Sequence, residues 1–349
     1  MNTRKSLALL LLAVMAVSLV GCSASNATPP TATPASGSAG SGTLKIGVSL
    51  PTQREERWVL DKENFEKVAN EQGIDLALQV ADNDAAKQQN QCENLISQNI
   101  DALIIAPVDG EQAKNIVEMA HAENIPVIAY DRPILNADVD LYVTFDQYRI
   151  GQLMGEYVAN HLDSGNIVFL KGDPQDPTCV PLGQGALDAI QAKVDSGDYK
   201  IVSRQDCKDW SASEAQKHVE NALTSNDNKI DAVIAPNDGT AGGAIQALAA
   251  QGLAGKTIIT GQDSEVDAIK RIIEGTQNMT VFFDVRDLAK AGFNAAVKLA
   301  KGEDPSATTV DNNGFKDVPT VGFAPSEVTI DNYKALLIES GYMSEADLG

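Results

Sequence analysis

The stretch 102-ALIIAPVDGEQAKNIVEMAHAENIPVIAYD-131 contains one complete strand–helix–strand unit. Its first six residues are mostly apolar and predict a buried strand, and residues 126–131 predict another. Between them, residues 110–124 place apolar side chains at helical spacing. Two strands separated by a helix of this length run parallel in one sheet. The unit therefore predicts an α/β fold.

The same alternation runs through the chain from residue 43. Strand-like runs and amphipathic helices repeat about ten times, which is typical of parallel sheets covered on both faces. Ten strands are too many for one doubly wound sheet, so we expect two sheets of about five or six strands each. The runs are 44–50, 75–80, 102–107, 126–131, 141–145, 166–172, 200–205, 232–237, 257–262 and 279–283.

The predicted architecture is two doubly wound parallel-sheet lobes joined by a hinge that the chain crosses several times. Residues 43–145 and about 285–315 are expected to form the N-terminal lobe. Residues 146–284 and about 316–349 are expected to form the C-terminal lobe.

The N-terminus has the pattern of a secretory signal. Arg4 and Lys5 precede the apolar run 7-LALLLLAVMAVSLV-20, which is too short for a comfortable membrane span. Residues 1–21 are therefore predicted to be a signal peptide.

The signal ends in 19-LVGC-22, which resembles a bacterial lipobox and implies that Cys22 is lipidated as the first mature residue. The alternative is an ordinary signal peptide with a chance cysteine. The segment that follows, through residue 42, lacks large apolar side chains and predicts a flexible tether, so that residues 22–42 form a lipidated anchor. We expect an extracytoplasmic protein, in the periplasm or at the outer face of the cell membrane, held there by its N-terminal lipid only.

Composition narrows the choice of partners. The chain has 349 residues, with 27 Lys and Arg against 48 Asp and Glu and a net charge of -21. Such an acidic chain is a poor candidate for binding nucleic acid or an anionic membrane surface. No Cys/His spacing suggests a metal site, and the histidines His121, His161 and His218 are predicted to be structural or solvated.

Three cysteines follow the tether, and an odd number predicts at least one free thiol. Cys92 lies in a helical pattern and is most simply a core residue. Cys179 and Cys207 come just after strands of consecutive strand–helix units, and an extracytoplasmic location permits a disulfide between them.

Polar side chains follow many of the predicted strands, at the sheet edge where open parallel sheets bind ligands. Asp, Asn and Ser at such junctions are also favoured helix caps. Asp109, Asp238 and Asp263, taken singly, are therefore better explained as caps. Arginine and tryptophan are not capping residues, and four of them occur at three of these junctions: Arg57 and Trp58 after the first strand, Arg132 after the fourth, and Trp210 after the strand at 200–205.

Acids, amides, arginines and flat aromatic rings around one cleft suit a sugar. Charged partners strengthen hydrogen bonds to hydroxyls, and the apolar C–H face of the ring packs on an indole. A phosphate ligand would call for a glycine-rich loop of the P-loop type, which this sequence lacks. An amino acid remains open, since an arginine and an aspartate could take its two charges.

The chain from residue 44 to about 349 resembles the D-xylose-binding proteins of bacterial ABC importers, within the type I periplasmic binding proteins. Five stretches carry the resemblance: 56-ERW-58, 129-AYDRPI-134, 231-DAVIAPNDGTAGGAIQALAAQGLAGK-256, 261-GQDSEVDAIKRI-272 and 313-NGFKDVP-319. Two others, 50-LPTQ-53 and 286-RDLAK-290, are nearer to related multiple-sugar-binding proteins.

The resemblance implies which residues contact the sugar. They are Arg57, Asp131, Arg132, Asp176, Trp210, Asn237 and Asp263, with Trp58 matching a tryptophan beside the contact arginine. Relatives have a lysine where this chain has Phe283, and they carry asparagines where it has Pro177 and Thr178. For Phe283 we expect a sugar stacked between its ring and Trp210; a less polar ligand edge, or a ring that points away, are the alternatives.

These observations predict a monomeric, non-enzymatic receptor that needs no cofactor. It would capture a monosaccharide, with D-xylose as the expected ligand, and deliver it to an ABC permease with its ATPase. A receptor for glucose, galactose or arabinose that feeds transport or chemotaxis is the alternative. A glycoside hydrolase is disfavoured because no carboxylate pair is marked as acid and nucleophile, and a sugar-sensing repressor because the N-terminus holds a signal where a DNA-binding helix pair would lie.

Overall fold

The computed structural model describes residues 43–349, and the predictions for the signal peptide, Cys22 and the tether lie outside the described residues. The strands are β1 (Lys45–Leu50), β2 (Asp75–Val80), β3 (Ala102–Ile105), β4 (Val127–Tyr130), β5 (Leu141–Phe145), β6 (Gly165–Lys171), β7 (Tyr199–Asp206), β8 (Ala232–Ile234), β9 (Ile258–Ile259), β10 (Thr280–Phe282), β11 (Thr309–Asn312), β12 (Asp317–Phe323) and β13 (Ser326–Val328). The helices are α1 (Glu56–Gln72), α2 (Ala85–Ser97), α3 (Lys114–Ala122), α4 (Gln147–His161), α5 (Cys179–Ser196), α6 (Ala212–Ser225), α7 (Asp238–Ala249), α8 (Val266–Glu274), α9 (Val285–Ala300) and α10 (Glu345–Leu348).

The first lobe is built on a seven-stranded sheet in the order β11-β12-β5-β4-β3-β1-β2. All its pairs are parallel except β11 with β12. Strands β3, β4 and β5 are buried throughout, because helices cover both faces. One core holds Phe65 of α1 and Phe293 of α9, and the other holds Leu95 of α2 and Val117 of α3.

The second lobe is built on parallel strands in the order β7-β6-β8-β9. Backbone hydrogen bonds extend this sheet to β10, since Val281 donates to Gly261 and Asp263 donates to Val281, both at 3.0 Å. β10 in turn pairs antiparallel with β13. The prediction of two covered, mostly parallel sheets is confirmed.

The chain passes between the lobes after β5, after β10 and after β12. A phenylalanine lies at each passage: Phe145 ends β5, Phe283 follows β10 and Phe323 ends β12. The Phe145 ring centroid lies 4.4 Å from that of Phe283 and 6.1 Å from that of Phe323. We call these three rings the crossing cluster.

One predicted lobe boundary is wrong by a strand. The C-terminal lobe was expected to resume at about residue 316, but β12 pairs in parallel with β5 of the first sheet, from Thr320 opposite Tyr142 to Phe323 opposite Phe145. Buried and more exposed side chains alternate along β12, which suits a strand that pairs beside β5 in that sheet. The chain returns to the second lobe at β13, whose Val328 packs with Ile269 and Ile272 of α8.

The predicted disulfide is also wrong, since Cys92, Cys179 and Cys207 all carry free thiols. The two loop cysteines lie in different surroundings. Cys179 begins α5, and its Sγ donates to the Asp173 carbonyl at 3.2 Å. Cys207 is fully buried in the core between β6 and α6. Cys92 is a core residue of α2, as predicted.

Helix α1 begins at one end of this framework, directly after β1. Within residues 43–349, no helix has the length and apolarity needed to cross a membrane. Several helix starts carry side-chain caps: Asp84 accepts from Lys87 N, Asp146 from Arg149 N and Asn237 from Thr240 N. These caps fix the directions in which the strand-to-helix loops project.

Candidate functional site

All nine residues predicted to bind ligand are buried side chains. They follow the carboxyl ends of strands in both sheets, and so they line the region where the two lobes meet. The first lobe contributes Arg57, Trp58, Asp131 and Arg132, and the second contributes Asp176, Trp210, Asn237, Asp263 and Phe283.

Arg57 is held by two carboxylates. Its Nη2 lies 2.9 Å from Oδ2 of Asp61, one turn along α1, and its Nη1 lies 2.8 Å from Oδ1 of Asp131. Tyr130 also donates to Asp61. Asp131 does not pair with its chain neighbour Arg132, because Asp131 adopts a left-handed backbone (φ 62°) and its carboxylate meets Arg57.

Arg132 reaches across to the second lobe. Its Nε lies 2.7 Å from Oδ2 of Asp176. The other oxygen of Asp176 accepts from Thr178, at 3.0 Å from the backbone N and 2.6 Å from Oγ1. Thr178, which stands where relatives have an asparagine, therefore still supplies a donor to Asp176, although the donor is a hydroxyl and not an amide. Burial raises the pKa of Asp176, and the Arg132 charge partly offsets this.

Trp58 supports both arginines. The guanidinium carbon of Arg57 lies 4.1 Å from the centre of the Trp58 ring, and that of Arg132 lies 5.3 Å from it. Both distances are within cation–π range. With 2% of its surface exposed, Trp58 is placed to orient the two arginines.

Trp210 is held in an unusual backbone conformation. Its φ is 52°, a region that bulky residues rarely adopt and that costs on the order of 1–3 kcal/mol. Its indole Nε1 is buried without a hydrogen-bond partner within residues 43–349. The ring packs over Gly172, where a Cβ would lie 2.4 Å from Cη2 of the indole. Strain and an unpaired donor at one side chain are typical of a binding site.

Asn237 and Asp263 stand together in the second lobe. Asn237 caps α7, and its Nδ2 lies 3.5 Å from Oδ2 of Asp263. Asp263 has φ 99° and forms no ion pair within the described part of the chain. Burial, reinforced by the charge of Glu265, raises its pKa well above the ordinary value. The cap expectation for Asp263 is therefore wrong, since helix α8 begins beyond it with Glu265 at the N-cap.

Phe283 lies in the crossing cluster. Its ring stacks on Phe145 with an interplanar angle of 29°, and the Arg57 guanidinium carbon lies 5.5 Å from its centre. A sugar stacked between Phe283 and Trp210 would need a face of this ring that neither neighbour covers. The stacking role stays a prediction, and the contacts favour a packing role at the lobe boundary.

The other two candidate caps have different environments. Asp109 accepts from the backbone N of Glu111 and of Gln112, both at 2.9 Å, and so closes the turn before α3, whose own N-cap is Ala113. Asp238 is fully buried inside α7 and accepts instead from Gln277 Nε2 at 2.7 Å and Thr280 Oγ1 at 2.8 Å.

Sequence reasoning missed several contributors. Asp61 could have been found from its spacing of four residues from Arg57 on one helix face. Glu56 could not, because its Oε2 accepts from Val266 N of the second lobe, 210 positions away, at 3.0 Å. A second bridge joins Arg54 Nη2 to the Asp209 carbonyl at 2.9 Å.

The arrangement is that of a binding site for a small polar molecule. It offers oriented guanidinium donors, carboxylate acceptors, an amide and an indole within a region shielded from water, where such bonds are strong. Within residues 43–349, no group of three or more His, Cys, Asp or Glu side chains is arranged to hold a metal ion.

Comparisons with known proteins point to one family. Residues 46–304 match the family model for a periplasmic binding protein domain. The D-xylose-binding periplasmic protein of Escherichia coli is 42% identical over 305 residues, which cover 87% of this chain and 92% of that protein. A multiple sugar-binding periplasmic receptor of Rhizobium radiobacter is 34% identical and covers 85% of this chain and 90% of its own.

A solved structure agrees with this assignment. The carbohydrate transporter solute binding protein of Chloroflexus aurantiacus, in complex with D-glucose, superposes with a TM-score of 0.83 at 34% sequence identity. The match covers 88% of this chain and 98% of that one.

Proposed function

The chain belongs to the periplasmic binding protein family, and we propose that it is a receptor that binds a monosaccharide, D-xylose in preference to other aldoses, and delivers it to an ABC permease. The preference for D-xylose rests on the 42% identity to a D-xylose-binding protein. The receptor would act outside the cytoplasm and be anchored through a lipid on Cys22.

One observation carries the proposal. Two buried arginines from the first lobe are each oriented by carboxylates and by Trp58, beside an amide and a carboxylate from the second lobe. Paired arginines keep further N–H donors for a ligand, and paired carboxylates keep further lone pairs. A neutral polyhydroxylated ring can use both kinds of group at once, whereas a charged ligand would unbalance the existing ion pairs.

We assign roles accordingly. Arg57, Asp131 and Arg132 would bind hydroxyls from the first lobe, and Asp176, Asn237 and Asp263 would bind them from the second. Trp210 would pack on the sugar ring and use its unpaired Nε1 as a donor. Trp58 would position the two arginines, and Phe283 would join the lobes rather than touch the sugar.

A receptor for another aldose is the second candidate, and the departures at Thr178 and Phe283 favour it, because both change the polar groups near the site. Such a receptor could feed transport or chemotaxis through the same cleft.

Isothermal titration calorimetry with D-xylose, D-glucose, L-arabinose, D-galactose and D-ribose tests the proposal. We expect tight binding of D-xylose and no release of free sugar from a nitrophenyl xyloside. Binding of none of the five sugars, or cleavage of the xyloside, would overturn it. Tighter binding of one of the other four sugars would identify that sugar, and not D-xylose, as the preferred ligand.

A further inference from the structure

Glu55 is a partly buried acid that no structural role accounts for. It occupies the N-cap position of α1, where a short polar side chain would accept a hydrogen bond from the first turn, but its side chain makes no capping bond. Its Oε2 is shielded from solvent and has no hydrogen-bond partner within residues 43–349. A buried carboxylate oxygen without a donor is costly, so its position calls for an explanation.

The charged groups that face Glu55 identify its surroundings. They are Arg54 and Arg57 from its own segment, Arg132 from the loop after β4 and, from the second lobe, Asp263, whose own pKa the Glu55 charge raises. Three of these four residues are proposed ligand contacts. Burial raises the pKa of Glu55, and Arg132 is the largest opposing influence. Both chain neighbours of Glu55 hydrogen-bond to the second lobe, Arg54 to the Asp209 carbonyl at 2.9 Å and Glu56 with Val266 N at 3.0 Å. Glu55 therefore lies between the two lobes, beside the proposed site.

The arginines beside Glu55 are already engaged. Arg57 is paired with Asp61 and Asp131, and Arg132 is paired with Asp176. Neither Glu55 nor Asp263 forms an ion pair in the part of the chain that the structure describes. Two acceptors with spare capacity thus lie near each other on opposite lobes, and both need hydrogen-bond donors.

We propose that Glu55 is a further ligand contact, whose Oε2 accepts a hydrogen bond from one hydroxyl of the bound monosaccharide and makes affinity depend on that hydroxyl. The proposal rests on the proposed sugar-binding function. A site built to pair with a hydroxyl strongly rejects the analogue that lacks it, because the buried partner is then left unpaired. Glu55 is therefore a specificity-determining residue in addition to the nine predicted from the sequence.

The test combines a variant with a set of ligands. Calorimetry measures the affinities of D-xylose and of its 2-deoxy, 3-deoxy and 4-deoxy analogues for the wild type and for Glu55→Leu. We expect Glu55→Leu to bind D-xylose at least about tenfold more weakly. One deoxy analogue, the one that lacks the partner hydroxyl, should bind the wild type and Glu55→Leu within threefold of each other.

Two further variants separate contact from structure. Glu55→Gln keeps an acceptor oxygen in nearly the same shape and should recover affinity for D-xylose relative to Glu55→Leu. Glu63→Leu makes the same change at an exposed position of α1 and should bind as the wild type does. An unchanged D-xylose affinity in Glu55→Leu, or equal losses for D-xylose and all three analogues, overturns the assignment of Glu55. A wild type that binds no monosaccharide overturns the proposed function itself, and this inference with it.

Discussion

Arg132 of the first lobe and Asp176 of the second form one ion pair across the lobe boundary, with 2.7 Å between Nε and Oδ2. Their side chains are 7% and 2% exposed, so water screens the attraction weakly. The arginine proposed to bind sugar is therefore also a link between the lobes. Under the proposed function, ligand binding and lobe closure would depend on the same guanidinium, which is a physical basis for coupling them.

Replacing Arg132 by alanine should weaken sugar binding by roughly 30- to 1000-fold, because it removes charge-assisted hydrogen bonds and leaves Asp176 buried without its cation. Calorimetry with D-xylose measures the loss, and circular dichroism checks the fold. Arg54→Ala is the control, since Arg54 is an exposed arginine that also bridges the lobes. An affinity of Arg132→Ala within threefold of the wild type would place Arg132 outside the site.

Replacing Phe283 by alanine should weaken every sugar of the panel by a similar factor, more than tenfold, without changing their order. The reason is that the change removes the Phe145 contact at the lobe boundary, where an aromatic pair contributes about 0.5–1.5 kcal/mol beyond its buried area. Phe283→Leu, which keeps apolar volume, should recover most of the affinity. A new order of preference in Phe283→Ala or Phe283→Lys would instead make Phe283 a direct sugar contact.

Replacing Gly172 by alanine should displace the Trp210 indole, since the added Cβ would lie 2.4 Å from Cη2 and 2.5 Å from Cζ2 of that ring. We expect about a tenfold loss of affinity and a shift in tryptophan fluorescence, because a close-packed interior has no room for the added methyl group. Gly183→Ala adds the same methyl group in the neighbouring helix, where the nearest atom is 4.0 Å away, and should have no effect on binding. A shifted fluorescence with unchanged affinity in Gly172→Ala would show that Trp210 can move without consequence for the ligand, and unchanged fluorescence would contradict the expected displacement.

Asp238 should make the free energy of unfolding depend on pH. Burial, with the charge of Asp263, raises its pKa from 3.8 to about 7. Between pH 3.8 and about pH 7 the native protein binds more protons than the unfolded chain. The contribution of Asp238 to the free energy of unfolding is therefore largest at the acidic end of this range and is lost as the pH rises through about 7. The loss is at most on the order of 4 kcal/mol.

Urea unfolding at pH 5 and pH 8 measures this dependence. The difference between the two pH values should be smaller in Asp238→Asn than in the wild type, and unchanged in the exposed-site control Glu63→Gln. Equal differences in the wild type and Asp238→Asn would mean that Asp238 stays ionised in the native state throughout.

The fold could be predicted from the sequence because its signals are local. Buried strands read as short apolar runs and helices as amphipathic stretches, and each is fixed by neighbours in the chain. The lobe to which β12 belongs was not predictable in this way. Its pairing with β5 joins residues almost 180 positions apart, and its alternating pattern would fit an edge of either sheet.

The site was predictable by residue type but not by pairing. Arg57, Trp58, Arg132 and Trp210 were unusual at strand ends, which marked them for function. Asp131 contacts Arg57 because its backbone is left-handed, and Arg132 contacts Asp176 across the lobe boundary. Neither contact leaves a signal in a short stretch of sequence. Glu55 was overlooked because a carboxylate at a helix start looks like any solvated acid.

The contacts within the crossing cluster are expected to affect how fast a ligand enters and leaves the protein. Phe145, Phe283 and Phe323 lie on the three passages between the lobes, so the lobes cannot swing apart unless these rings slide over one another. We therefore expect the contacts among these rings to influence how long a bound ligand stays between the lobes. We expect stopped-flow dissociation to accelerate when Phe323 is replaced by leucine, although Phe323 is not among the proposed sugar contacts. Dwell time and binding strength would then be adjustable at separate positions of the same molecule.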